Sequence, residues 1–67
     1  MGVELGKKIK KLRKKRGITQ ERLSELTKTS YKYIQRIEGN TPPDVRLTTI
    51  ARLAKALKVE PSELLKF

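Results

Sequence analysis

The sequence predicts an all-α domain built as a five-helix bundle, on three observations. Apolar residues recur at helical spacing four or five times along the chain, and strand-type alternation occurs nowhere. Each periodic run is bounded by helix punctuation: glycines at 17 and 39, good N-caps at Thr19 and Ser30, and a proline at 61. At 67 residues and 7.7 kDa the chain is long enough for one domain, residues 1–67, and no more.

Leu5, Ile9 and Leu12 follow i, i+4, i+7 spacing, one stripe of a first helix that should end before Gly17. Glycine there can take the left-handed conformation of a helix stop. Thr19 caps a second helix over roughly 20–27, with Leu23 and Leu26 expected inward. Lys28-Thr29 is a short connector, and Ser30 caps a third helix, about 31–38, with Ile34 and Ile37 inward and a stop at Gly39. Residues 40–44 (NTPPD) form the one clear loop. Leu47, Ile50, Leu53, Ala54 and Leu57 set a fourth helix that starts between 44 and 48. Pro61 fits the first position of a final short helix, where its missing N–H costs nothing, and Leu64, Leu65 and Phe67 close the chain.

Composition narrows the function. With no cysteine and no histidine, disulfides, zinc-finger-like sites, thiol nucleophiles and imidazole bases are all ruled out. The seven carboxylates are scattered among lysines, and neither a P-loop nor a GxGxxG pattern occurs. The expectation is a protein without catalysis, cofactor, metal or small-molecule ligand. No apolar run approaches the roughly 20 residues that span a bilayer, and no signal-peptide pattern opens the chain. A soluble, cytoplasmic protein is expected.

Seventeen Lys and Arg against seven acids give a net charge of +10, which suits a polyanionic partner. Eight of the seventeen cations lie in residues 7–16, a stretch with no acid, which leaves only +2 for the remainder. On a helix with a Leu5-Ile9-Leu12 stripe most of these lysines face water. They still raise the long-range field that steers the protein toward a polyanion.

Residues 19–39 (TQERLSELTKTSYKYIQRIEG) place two short helices around a tight turn, the spacing of a helix-turn-helix at about 20–38. Leu12-Arg13 precedes Gly17-Ile18-Thr19-Gln20-Glu21, followed by Leu23-Ser24-Glu25, Ser30, the run from Tyr33 to Gly39, Ala51 to Leu57, Val59 and Leu64-Leu65. In this order and spacing the chain resembles the phage repressor/Cro-type helix-turn-helix family of transcription regulators over about 60 of its 67 residues. The implied fold is the lambda-repressor-like DNA-binding type. The family favours Ala at position 24 and Gly at positions 28 and 58, where this chain has Ser24, Lys28 and Lys58. Gly39 also follows Glu38 directly, without the usual intervening residue.

At 100° per residue, Ile34, Ile37 and Ser30 share one side of the third helix, while Lys32, Gln35 and Arg36 lie opposite, with Tyr31 and Tyr33 flanking. A generic surface helix also carries such residues outward. The resemblance implies that this face enters the major groove, where Arg and Lys read guanine and Gln reads adenine. Base contact is therefore expected for Lys32 and Arg36 first, then Tyr31 and Gln35. Tyr33 divides between packing and a phosphate contact. Gln20 opens the second helix, where free N–H groups attract phosphate, and the resemblance adds a bracing role. Thr29 and Ser30 stand at the next helix start, and Asn40 and Arg46 bracket the loop as candidates for backbone or minor-groove contact. Arg13 and Glu38 are implied to pair structurally. A sequence-specific regulator of double-stranded DNA is thus expected, as a weak homodimer through Leu64, Leu65 and Phe67. An antitoxin or controller protein of the same fold is the alternative, followed by an interaction module for an acidic partner.

Overall fold

The computed structural model describes residues 2–66. Five helices follow in order: α1 (Gly2–Lys15), α2 (Gln20–Thr27), α3 (Tyr31–Ile37), α4 (Leu47–Ala56) and α5 (Pro61–Leu64). No strand occurs among the described residues. The helix boundaries match the sequence expectations to within a residue. Four of the five are too short to persist alone, since isolated helices under about 12–15 residues are marginal in water. Packing therefore holds them: α2 lies against α3 and α4, α4 against α5, and α1 against α3 and α5.

The core consists of Leu5, Ile9, Leu23, Ile34, Ile37, Ile50, Leu53, Ala54, Leu57 and Leu64. Three apolar residues depart from the expected pattern. Leu26 is 42% exposed, because the buried stripe of α2 runs through Leu23, Ser24 and Thr27 instead. Thr27 can occupy the core because its Oγ1 donates to the Leu23 carbonyl at 2.8 Å, which satisfies the buried hydroxyl within its own helix. Leu47 is 73% exposed: it lies one turn before the buried Ile50, at the first position of α4. Leu12 is only partly buried against the core.

Helices α1, α2 and α4 all end on a residue with positive φ: Gly17 (68°), Lys28 (56°) and Lys58 (58°). In each, two N–H groups reach back to the last turn, as in Thr29 to Ser24 at 2.9 Å and Val59 to Ala54 at 2.9 Å. Glycine takes this conformation without strain, whereas a residue with a Cβ gives up about 1–2 kcal/mol. The two lysines carry that cost.

Two further contacts lock α1 to the rest. A Cβ at Gly6 would collide with the Ile37 carbonyl, so glycine alone lets α1 approach the end of α3 this closely. Arg16, last of the basic run, donates from Nε to the Leu57 carbonyl at 3.1 Å and from Nη2 to the Lys58 carbonyl at 3.4 Å. Its charge thus meets the carbonyl end of α4, where the helix dipole favours a cation.

Candidate nucleic-acid interface

The two short helices start on hydroxyl caps. Thr19 Oγ1 accepts from the Arg22 N–H at 3.0 Å, and Ser30 Oγ accepts from the Tyr33 N–H at 3.0 Å. These caps fix where α2 and α3 begin, and so which residues face outward from α3. Lys32, Gln35 and Arg36 are all exposed, opposite the fully buried Ile34 and Ile37. Tyr31 is 45% exposed at the start of the helix, and Tyr33 is half-buried against the core. No acid lies on α3, so its outward face is cationic and amide-bearing throughout.

A network at the far end holds α3 in place. Arg13 pairs with Glu38 side-on, Nε to Oε2 at 2.7 Å and Nη2 to Oε1 at 3.0 Å. Its remaining Nη1 donates to the Ile18 carbonyl at 2.9 Å. Gln20 Nε2 donates to Glu38 Oε1 at 3.1 Å. The pair is largely out of water, with side-chain exposures of 11% for Arg13 and 3% for Glu38. One carboxylate thus ties the end of α1, the start of α2 and the end of α3, and bidentate charge-assisted bonds give that tie direction as well as strength.

Arg13, Thr19, Gln20, Glu21 and Tyr31 also line a shallow polar hollow of about 420 Å³. It joins the first turns of α2 and α3, whose free N–H groups favour an anion. The other expected contacts are arranged around it less closely. Thr29 Oγ1 is 2.8 Å from Thr27 Oγ1, which engages it with the turn, and Ser30 is engaged as a cap. Asn40 and Arg46 are exposed at the two ends of the loop before α4, and Arg46 caps α4 without a side-chain hydrogen bond. At the chain end Leu64 is fully buried and seals the core, which removes it as a contact surface; Leu65 is 37% exposed, and Phe67 lies outside the described residues.

Gly6 and Arg16 position the site without having stood out in the sequence. A glycine one residue past Leu5 on the apolar side of an otherwise regular helix is the signal that a backbone approaches there. Arg16 carries no such mark within a run of eight cations.

Residues 8–67 match the model of the Cro/C1-type helix-turn-helix DNA-binding domain family. Among solved structures, the restriction-modification controller protein C.AhdI from Aeromonas hydrophila superposes with a TM-score of 0.86 at 35% identity, over 92% of each chain. The master regulator for biofilm formation SinR, solved in complex with DNA, gives 0.86 at 26% identity, over 92% of this chain and 98% of that one. The clp gene regulator ClgR from Corynebacterium glutamicum shares the fold, with a TM-score of 0.87 at 24% identity over 94% of this chain and 66% of its own. No curated protein sequence matches the chain.

Proposed function

This chain belongs to the Cro/C1-type helix-turn-helix family of DNA-binding domains, and on that premise we propose that it regulates transcription by reading an operator with α3 in the major groove. The acid-free outward face of α3 carries this reading: Lys32, Gln35 and Arg36 project from a helix capped at one end and braced at the other. Arg36 and Lys32 take guanine edges and Gln35 an adenine edge. Tyr31 adds a base contact at the start of the helix, Gln20 and the helix starts at Thr29 and Ser30 meet phosphates beside the groove, and Asn40 and Arg46 lie on the flanking backbone or minor groove.

The protein acts by occupancy, in the cytoplasm with the DNA it reads, and uses no bound cofactor. Two copies sit on a two-fold operator, with half-sites one helical turn or about 34 Å apart. The exposed Leu65 and Leu47 supply apolar surface for a weak symmetric contact. The likeness to a controller protein at 35% identity over nearly the whole chain favours a second reading, a small regulator that represses its own operon.

Selection of bound fragments from random duplexes tests both. The expected outcome is an enriched two-fold sequence with half-sites one turn apart, which under the second reading also lies upstream of the chain's own gene. Recovery of unrelated fragments with no shared motif removes sequence-specific reading and leaves charge attraction alone.

A further inference from the structure

A groove of about 530 Å³ opens between α2 and α4, on no residue of α3, and it shares with the bracing network only Ile18, whose carbonyl accepts from Arg13. Ile18, Leu26 and Ala56 form its apolar floor. Lys28, Arg52, Lys55 and Lys58 form its rim, and no carboxylate lines it. The ion pairs among the described residues are Arg13–Glu38, Arg22–Glu25 and Glu63–Lys66, and none of them involves a rim cation.

The backbone at this rim points the same way. Lys28 and Lys58 are the non-glycine residues with positive φ among those described, and both line this groove. Gly17 ends α1 with the same hydrogen-bonding pattern, so the fold has a strain-free solution that these two positions do not use. Departures from a local rule are expected at functional or strained sites. Here the departure places two ammonium groups at the groove.

We propose that this groove docks an acidic amphipathic helix of a partner protein. The floor matches apolar side chains on one face of such a helix, with the half-exposed Leu26 as the main contact. Arg52 and Lys55 stand one turn apart on α4 with Lys58 just past its end, a row about 9 Å long at 1.5 Å per residue. Carboxylates at i, i+3 or i+4, and i+7 of the docked helix span the same row, and Lys28 closes the other edge. Duplex DNA fits less well, because phosphates leave the apolar floor uncovered.

The test uses a synthetic 15-residue helical peptide with Leu on one face and Glu on its flanks, titrated into isotopically labelled protein. Amide shifts are expected to centre on Ile18, Leu26 and Ala56, with a scrambled peptide of equal composition binding at least tenfold more weakly. Leu26→Ser keeps the net charge and lies on the surface. It is expected to weaken peptide binding about tenfold while operator affinity stays within twofold. The double variant Lys28→Gly, Lys58→Gly is expected to raise Tm and yet weaken the peptide at least fivefold, a combination that a purely structural role for these lysines does not produce. Equal binding of the scrambled peptide, shifts spread over the lysines of α1, or no binding at millimolar peptide each overturns the proposal. The same amides shifting with duplex DNA assigns the groove to nucleic acid. Dilution-dependent shifts without peptide assign it to a second copy, and both outcomes overturn it as well.

Discussion

Gly6 and Ile37 meet backbone to backbone: the α carbon of one faces the carbonyl of the other with no room for a methyl group between them. Alanine in place of glycine inside a helix ordinarily adds about 1 kcal/mol of stability. At position 6 the sign reverses, because overpacking a closed contact costs about 1–3 kcal/mol and more where backbone is the obstacle. Gly6→Ala is expected to lower Tm by roughly 5–10 °C in thermal unfolding. An unchanged or raised Tm shows that α1 can shift away without loss.

Arg13→Ala leaves the Glu38 carboxylate, almost wholly buried, with only Gln20 as partner. Breaking one side of a buried pair costs about 3–5 kcal/mol, while an exposed pair is worth under about 1. Arg22→Ala, which removes the exposed pair with Glu25, is the internal control. Denaturant unfolding of the two variants is expected to differ by at least about 2 kcal/mol; equal midpoints deny the buried pair its role in holding α3.

Arg36→Ala and Lys10→Ala separate reading from attraction. A bidentate contact to guanine contributes about 1–3 kcal/mol of discrimination. Arg36→Ala is therefore expected to weaken operator binding far more than binding to scrambled duplex. Lys10, exposed on α1, is expected to lower both affinities together and to flatten the salt dependence slightly. Equal losses on both duplexes for Arg36→Ala would falsify its role as a base reader.

Leu65→Asp places a charge on an exposed apolar position without touching the core that Leu64 seals. Sedimentation at high protein concentration is expected to show weakened self-association with an unchanged helical signal. Identical behaviour of variant and wild type removes α5 from any interface and leaves Leu47 as the candidate.

Periodicity and caps made the helices legible, because Thr19, Ser30, Gly17 and Pro61 act within one turn of themselves. It failed where tertiary position decides. Leu26 and Thr27 both lie on plausible inward stripes of α2, and the packed fold buries the threonine, whose hydroxyl finds a local acceptor. Leu47 obeys the period of α4 but not the length of the core. Leu64 and Leu65 are indistinguishable as letters and opposite in burial. In the interface, the outward face of α3 followed from its helical angle alone. By contrast, Arg13, Gln20 and Glu38 are far apart in sequence, and family resemblance rather than spacing led to their association. Arg16 reads as one more cation until the carbonyl end of α4 is placed beside it.

Helix α3 has seven residues, about 10 Å of rise, and cannot populate its shape outside the folded domain. Its outward face therefore exists only in molecules that have folded completely, and DNA that binds this face binds the native state to the exclusion of the unfolded one. Operator duplex consequently acts as a thermodynamic ligand of folding: at a hundredfold excess over Kd it adds about 2.7 kcal/mol to the stability of the domain. A destabilising change at Gly6 or Arg13, remote from every base, thus registers as an apparent loss of affinity once the unfolded fraction becomes appreciable, and saturating operator restores the fold. Occupied protein is in turn protected from proteases that attack the open chain, so the lifetime of the free regulator and that of the bound one are set by different equilibria.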